Sequence, residues 1–417
     1  LYGLSLIVTV GAMFSKEFCF TIPLAMILYE FLFINGPEYR RANRWALMIP
    51  FLCTLPIIPL LLLKPVAAMT PTARIAKTAS THEEQAPSFL SRLDRISRTE
   101  TEISRKDYFL TQINVLRTYV RLLFWPSKQN IDYDYPITKK FLGIPTVLSA
   151  VLLASLLIFA FAIRKRWPLI TFGILWFFLT LSVESTVIPI GYVINEHRLY
   201  LPMAGWAVAI SSILTGLFKS RNALWAVFLL ILLSLSFATL RRNTVWKDEI
   251  TLWEDTSSKS PQKARPVTNL GIAYKDAQQY DKAIMTLLRA IDLDPNNAVA
   301  YTAMAFCHRY RGDPPEKEEE LLKKAIALNP YYSLAHFGLG YYYHSKGFPD
   351  KAIPHYENAL LLDPQSESIY KNLAVAYAQN NKLQKINVLI RMLDDQGMEF
   401  MAARLRSFFE PKTKKPY

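Results

Sequence analysis

The sequence lacks the features that define several common classes of protein. It contains only three cysteines, Cys19, Cys53 and Cys307, and they lie far apart. This spacing fits neither a disulfide framework nor a cysteine-based metal site. Each cysteine is therefore predicted to be a small buried hydrophobic residue. Despite a net charge of +14, no localised basic patch with interleaved aromatics is present, which argues against nucleic acid as a partner.

Two further absences concern the N-terminus and the apolar segments. The chain begins at Leu1 inside an apolar run, without the basic start or the small-residue cleavage site of a signal peptide. We therefore expect the full protein to have further residues upstream. Charged residues are scarce within the apolar runs, where Glu30 and Glu184 lie near the ends. Because transport pathways usually carry ionisable groups at membrane depth, this pattern argues against a transporter.

Long apolar runs fill the first half of the chain. Residues 1–240 carry 23 Lys and Arg against 13 Asp and Glu, whereas residues 241–417 carry 25 against 21. Most of the apolar segments approach the roughly 20 residues that a helix needs to cross a bilayer. Helices are favoured because a lone apolar segment can satisfy its backbone in lipid only as a helix. The predicted spans are 1–14, 18–34, 45–63, 142–163, 167–183, 199–218 and 223–240.

Three short basic loops predict the orientation of these spans. They are residues 40–44, 164–166 and 219–221. All three fall on one side if each segment crosses once, and basic loops mark the cytoplasmic side. The opposite side then holds residues 15–17, 64–141, 184–198 and everything after 241.

The outer stretch 64–141 is predicted to contain helices that lie on the membrane surface. Apolar stripes at 89–96 and within 107–125 face away from basic or polar side chains, as in helices that rest on lipid head groups. Arg117 and Arg121 are one helical turn apart and could grip a phosphate. Anchoring to lipid head groups is an equally good explanation for both arginines.

Acidic and aromatic residues alternate in the segment 130–136 that follows. Asp132 and Asp134 are separated by one tyrosine and followed by another. On an outer loop, this pattern could bind a sugar or a divalent metal ion. The same residues could instead cap a turn at the membrane surface, so no metal site is assigned.

The second half of the chain carries an internal repeat. Pro261, Pro295, Pro330 and Pro364 are spaced 34, 35 and 34 residues apart. A period near 34 residues is typical of tetratricopeptide repeats, in which small residues let two helices of a hairpin approach closely. The region resembles such an array over residues 244–410, and a basic tail follows at 411–417.

Tetratricopeptide arrays bind and present other chains, so the resemblance implies a peptide groove on the concave side. The geometry of the repeat places six side chains there, although a solvated surface would have the same pattern. They are Lys275, Arg309, Phe337, Tyr341, His344 and Lys371.

Three ordered motifs in the first half resemble those of a known family of membrane enzymes. The first is Ser-Lys-Glu at 15–17 with Thr-Ile-Pro-Leu at 21–24 and Leu-Tyr-Glu at 28–30. The second runs from 119–123 to Asp-Tyr-Asp-Tyr-Pro at 132–136, and the third is Glu-His-Arg-Leu-Tyr-Leu-Pro at 196–202. Their order, with repeats following on the outer side, resembles that of TMTC-type protein O-mannosyltransferases and their bacterial relatives, which have the GT-C superfold.

The resemblance implies transfer of a sugar from a polyprenyl-phosphate carrier to an acceptor on the non-cytoplasmic side. It also implies an inverting displacement with a carboxylate base, supplied by an acidic pair in the first outer loop. Nothing in this chain matches that loop, so no catalytic residue is assigned. The chain is therefore predicted to be the C-terminal part of such an enzyme.

The remaining motifs are candidates for a donor site. Lys16, His197 and Arg198 fall at outer helix ends, where cations would stabilise a departing lipid phosphate. Arginine is suited to forked contacts with phosphate oxygens. Glu17 and Glu196 could orient these cations or bind sugar hydroxyls. Alternatively, Lys16 with Glu17 and Glu196 with Arg198 simply form ion pairs that seal loops.

Together these patterns predict an all-α protein with two parts. Residues 1–243 would form a polytopic transmembrane helix bundle, and residues 244–410 a tetratricopeptide-repeat α-solenoid. The leading functional hypothesis is a membrane glycosyltransferase whose repeats bind a protein acceptor or other partners. The alternative is a non-catalytic membrane-anchored scaffold. The expected location is the bacterial inner membrane, with the repeats on the periplasmic side.

Overall fold

A computed structural model of the chain describes residues 21–33, 49–55, 103–182, 185 and 192–409. Over these residues every regular element is a helix, which confirms the predicted all-α class. The chain divides into two compact units, Leu1–Arg242 and Asn243–Tyr417, and each is described by itself.

The first unit contains six long helices among its described residues. They are α1 (Thr21–Phe33), α2 (Arg105–Phe124), α3 (Ile144–Ile163), α4 (Pro168–Leu181), α5 (Tyr200–Leu217) and α6 (Arg221–Asn243). Three helical stretches are long and apolar enough to cross a membrane, namely Ile144–Ile163, Glu196–Leu217 and Arg221–Trp246. The helices α1 and α4 are apolar but shorter. Of the other predicted spans, 1–14 lies outside the described residues and 45–63 is described only at 49–55.

Helix α2 packs into the first unit through one buried face. Its N-terminus is capped by Ser104, whose side chain accepts a hydrogen bond from the backbone N–H of Asp107 at 3.1 Å. Val115, Tyr119 and Leu122 are buried in a core shared with α4 and with the segment before α5. The other surface helix, predicted at 89–96, lies outside the described residues.

Helices α4 and α5 approach each other closely at two glycines. A Cβ atom placed on Gly173 would lie 2.4 Å from the carbonyl oxygen of Gly205. A Cβ on Gly205 would lie 2.5 Å from Cδ1 of Trp176. The Trp176 indole N–H also donates to the carbonyl oxygen of Leu201 at 2.8 Å. Small residues that permit close backbone contact are a common basis of helix pairing in membranes.

Over its described residues the second unit is an array of ten α-helices, which confirms the predicted repeat fold. The helices pair as antiparallel hairpins, with one helix before the first hairpin and one after the last. They are α7 (Glu249–Lys259), α8 (Ala264–Asp276), α9 (Tyr280–Leu293), α10 (Ala298–Arg311), α11 (Pro315–Leu328), α12 (Ser333–Ser345), α13 (Pro349–Leu362), α14 (Glu367–Gln379), α15 (Leu383–Asp395) and α16 (Glu399–Phe409).

Small residues at the predicted repeat positions explain the close packing within each hairpin. A Cβ atom on Gly271 would lie 2.6 Å from Cγ of Leu287, and one on Gly340 would lie 2.7 Å from Cδ1 of Tyr356. Cys307 is fully buried, as predicted. The prediction for Cys53 was wrong, because its side chain is exposed on the first unit. An apolar run in a membrane segment does not separate core-facing from lipid-facing positions.

Two histidines lie close together between α12 and α13, with His336 buried and His355 half-buried. The rings of His336 and His355 lie 5.8 Å apart by their centroids. The Nδ1 atom of each ring is buried without a hydrogen-bond partner. Burial, followed by the charges of His336 and of Lys323, lowers the pKa of His355. The Lys323 ammonium is itself held by Glu319 at 2.7 Å.

We expect the repeat unit to lose stability as the pH falls below the ordinary histidine pKa of about 6.5. The folded state binds the proton less readily than the unfolded state, so the loss begins near that pKa and continues down to the lower folded value. Its slope for one proton is at most about 1.4 kcal/mol per pH unit. Thermal unfolding of the full chain in detergent, followed by circular dichroism from pH 7.5 to 5, would measure it. In His355→Phe the dependence should weaken; an unchanged slope would contradict the assignment.

Candidate functional site

Two distant parts of the first unit meet at the carboxylate of Glu196. Glu196 begins a short 3-10 turn, Glu196–Leu199, that leads into α5. Its Oε1 atom accepts a hydrogen bond from the backbone N–H of Asn130 at 2.6 Å and another from the Tyr133 hydroxyl at 2.6 Å. The third motif is thereby joined to the acidic and aromatic loop of the second.

The Tyr133 hydroxyl remains a hydrogen-bond donor over the whole physiological pH range. Burial raises the pKa of Tyr133, and the hydrogen bond to the negatively charged Glu196 raises it further. The positive charge of Arg121 acts in the opposite direction on the same pKa. Arg121, Tyr133 and Glu196 therefore form one electrostatic cluster at the end of α2.

The arginines of α2 occupy different environments. Arg121 is exposed, and its Nη1 donates to the backbone oxygen of Ser127 at 3.2 Å and to the Ser127 hydroxyl at 3.3 Å. Arg117, one turn earlier, is half-buried. Arg121 thus presents a cation at the surface, directly beside the Tyr133–Glu196 pair.

The three ionisable residues of the Glu-His-Arg run also differ in exposure. Glu196 is half-buried and His197 is exposed. Arg198 is only 8% exposed, and its Nη2 donates to the backbone oxygen of Tyr192 at 3.1 Å. Of these consecutive residues, Glu196 contacts the 130–136 loop, His197 faces the solvent and Arg198 lies in the protein interior.

Only one of the two aspartates in the 130–136 segment is accessible. Asp132 is 2% exposed, whereas Asp134 is exposed. The Asn130 side chain folds over the turn, because its Nδ2 donates to the backbone oxygen of Asp132 at 3.2 Å. Among the residues that the structure describes, no group of three or more His, Cys, Asp or Glu is placed to hold a metal ion.

An apolar cavity of about 190 Å³ lies between α2, α3, α4 and α5 and reaches the C-terminal end of α2. Val120 and Phe124, which flank Arg121 in the sequence, form one wall. Trp206 lies at the same wall. Its ring meets the Phe124 ring edge-on, with the two ring centroids 4.1 Å apart. The cavity was not foreseen from the sequence, because its lining comes from four helices whose packing no local pattern encodes.

Lys16 and Glu17 lie outside the described residues. The structure brings together residues from three places: α2, the 130–136 loop and the Glu196–Leu199 turn.

In the repeat unit, most of the predicted groove residues contact other parts of the array. Arg309 is held by an ion pair with Glu318, and its guanidinium lies 4.5 Å from the Tyr341 ring centroid. His344 lies 2.9 Å from the side-chain oxygen of Gln379. The other predicted groove residues comprise an ion-paired lysine, a packed aromatic ring and an exposed lysine: Lys275 pairs with Asp276, Phe337 packs on Tyr356, and Lys371 is exposed.

Comparison with protein families identifies tetratricopeptide repeats in the second unit. Three models described as tetratricopeptide repeat match residues 264–297, 286–319 and 333–366. The segments 264–297 and 333–366 coincide with the hairpins α8–α9 and α12–α13. The segment 286–319 runs from within α9 through α10 to the start of α11. The C-terminal region therefore contains tetratricopeptide repeats.

Several curated relatives are TMTC-type proteins. Protein O-mannosyl-transferase Tmtc2 of Drosophila melanogaster is 33% identical over 28% of this chain and 13% of its own length. Protein O-mannosyl-transferase TMTC3 is 20% identical in Mus musculus over 48% of this chain and 27% of its own length. The human TMTC3 is 23% identical over 54% of this chain and 22% of its own length. The chain thus spans about a quarter or less of these relatives.

Among solved structures, the crystal structure of MamA protein is 23% identical to this chain. The match covers 43% of this chain and 93% of that protein, with a TM-score of 0.31.

Proposed function

We propose that this chain forms part of a membrane glycosyltransferase of the GT-C type. It would take a sugar from a polyprenyl-phosphate donor and transfer it to a protein acceptor on the non-cytoplasmic face. The protein O-mannosyl-transferase relatives support the reaction class, and the repeats support a protein acceptor or partner. The basic loops that orient the spans support repeats on the non-cytoplasmic side, which is the periplasmic side in the proposed bacterial inner membrane.

The observation that carries the proposal is the apolar cavity directly beside the cationic end of α2. A polyprenyl phosphate has a long hydrocarbon chain and an anionic head, so it needs both environments within a few ångströms. Val120 and Phe124 line the cavity, while Arg121 between them is exposed next to Tyr133 and Glu196. One helical turn therefore carries both a place for the chain and a place for the phosphate.

The side chains of the cluster suggest separate roles. Arg121 and the exposed His197 would contact the phosphate, where negative charge increases as the sugar leaves. Glu196 already accepts two short hydrogen bonds, so we assign it to holding the 130–136 loop against the turn. Asp134 is the exposed carboxylate of that loop and would face sugar hydroxyls. No residue of this chain is assigned as the general base.

We expect Arg121→Ala to weaken binding of undecaprenyl phosphate about tenfold, because a charge-assisted contact to phosphate is lost. Tryptophan fluorescence of the full chain in lipid nanodiscs would measure binding, with Trp125 and Trp206 as neighbouring reporters. Arg164→Ala is the matched control, since Arg164 lies in a basic loop expected on the opposite side. Its Nη1 donates a hydrogen bond to the backbone oxygen of Phe161 at 3.1 Å. Equal weakening in both variants, or no binding by the unmodified chain, would overturn the proposed donor site.

A membrane-anchored scaffold is the second candidate function. It is favoured by the repeats, which present the exposed Tyr341 and Lys371 on the helices that line the predicted groove. A scaffold needs no donor site, so failure of the unmodified chain to bind undecaprenyl phosphate would leave this function as the better one.

A further inference from the structure

We infer that Tyr119 is a positioning residue. Its hydroxyl fixes the backbone of Asn195 and thereby sets the orientation of the Glu196–Leu199 turn. What the turn binds rests on the proposed function. The hydrogen bonds that hold it are independent of that function and can be measured separately.

The contact between Tyr119 and Asn195 is reciprocal. The Tyr119 hydroxyl donates to the backbone oxygen of Asn195 at 2.9 Å and accepts from the backbone N–H of the same residue at 3.0 Å. Tyr119 is fully buried. A single side-chain oxygen thus satisfies both backbone polar groups of the residue that precedes the turn, which leaves that peptide little freedom to rotate.

A second contact from α2 holds the same segment two residues earlier. Gln112 is 1% exposed, and its Nε2 donates to the backbone oxygen of Val193 at 2.8 Å. Gln112 and Tyr119 are seven residues apart, so they lie on one face of the helix. Asn195 is extended, with φ −144° and ψ 134°. In an extended chain the carbonyls of alternate residues point the same way, so α2 can bond both Val193 and Asn195.

The hydroxyl can be separated from the ring by mutation. The Tyr119 ring packs in an apolar core with Val115, Leu122 and Phe177, which a phenylalanine ring would fill equally well. The variant Tyr119→Phe removes only the oxygen and leaves the N–H and C=O of Asn195 without this partner. The turn then loses the α2 contact nearest to it, while Gln112 still holds Val193 and the Glu196 bonds to Asn130 and Tyr133 are still possible.

This loosening predicts two results for Tyr119→Phe in the full chain. Hydrogen exchange of the Asn195 amide should accelerate at least tenfold, because its hydrogen-bond acceptor is gone. Binding of undecaprenyl phosphate should weaken at least fivefold, because His197 is no longer held in place. The melting temperature should stay within a few degrees of the unmodified protein.

Ser149→Ala is the matched control. The Ser149 hydroxyl is buried and donates to the Asn114 side chain at 2.7 Å, so this variant also removes a buried hydrogen bond to α2. It does not touch the segment before α5, and both the Asn195 exchange rate and phosphate binding should stay within twofold.

The outcomes separate the inference from the proposed function. Unchanged exchange at Asn195 in Tyr119→Phe overturns the inference. Faster exchange with unchanged binding overturns it too, because the turn would then not belong to the site. If the unmodified chain binds no undecaprenyl phosphate, the proposed function fails, and the exchange rate alone decides whether Tyr119 holds the turn.

Discussion

Replacing Glu318 with alanine is expected to lower the free energy of unfolding of the repeat unit by about 3 kcal/mol. Glu318 is only 5% exposed, and its Oε1 accepts from the Nε of Arg309 at 2.7 Å. The Arg309 guanidinium is stacked between Phe306 and Tyr341, with ring centroids at 4.9 Å and 4.5 Å. Removing the carboxylate leaves this cation enclosed by rings, without its counter-charge.

The position of the pair makes the expected loss larger than a local contact would suggest. Arg309 lies on α10, Glu318 on α11, and Nη2 of Arg309 also donates to the backbone oxygen of Gly338 on α12 at 3.2 Å. The pair therefore joins the two helices of one repeat to the first helix of the next. In arrays of this kind, contacts between neighbouring repeats supply much of the stability.

Urea unfolding of the full chain in detergent, followed by circular dichroism, would measure the effect. Arg404→Ala provides a control, since Arg404 pairs with Glu367 at 3.1 Å while both side chains remain more than half exposed, at 58% and 53%. An exposed pair contributes at most about 1 kcal/mol. A loss in Glu318→Ala no greater than in Arg404→Ala would show that the buried pair is not important. The double variant Glu318→Gln with Arg309→Met should recover part of the loss, because no charge is then left enclosed.

Adding one methyl group at Gly173 is expected to destabilise the first unit by about 1–3 kcal/mol. The new Cβ atom would lie 2.4 Å from the Gly205 carbonyl oxygen and 2.7 Å from Cβ of Ala209. The first of these neighbours is backbone, so it cannot rotate away as the end of a long side chain can. Helices α4 and α5 must then separate, which also stretches the hydrogen bond from Trp176 to Leu201.

Thermal unfolding of Gly173→Ala in nanodiscs would test this prediction. Gly143→Ala is a suitable control, because its Cβ would lie 3.5 Å from the Lys140 oxygen, an ordinary contact. A melting temperature as high as that of the control would contradict the close approach of α4 and α5. Since α4 and α5 both line the cavity, we also expect Gly173→Ala to alter its volume.

The repeat unit was predictable from the sequence because its information is periodic. The prolines spaced near 34 residues located the ends of the hairpins, and Gly271 and Gly340 fall where close helix packing requires them. The apolar segments 142–163, 167–183, 199–218 and 223–240 likewise coincided with helices. Such features repeat in the sequence with the period of the structure that they form.

The candidate site could be predicted only as a list of residues, because its contacts join distant parts of the chain. The partners of Glu196 lie 63 and 66 residues away. Nothing near Glu196 in the sequence indicates that its carboxylate holds a loop. The reciprocal bond between Tyr119 and Asn195 spans 76 residues and was likewise not foreseen. The placement of Lys16 and Glu17 in the donor site stays a prediction.

The exposure of helix α6 has a consequence for how its sequence can evolve. Its 23 residues include none that is buried. At about 1.5 Å per residue it is long enough to span the hydrocarbon core of a bilayer. Because protein packing does not distinguish one apolar position of this helix from another, natural selection can act on its composition and length but hardly on the order of its residues. Related sequences should therefore diverge in this helix by reshuffling leucine, phenylalanine and alanine, while the glycines of α4 and α5 stay in place.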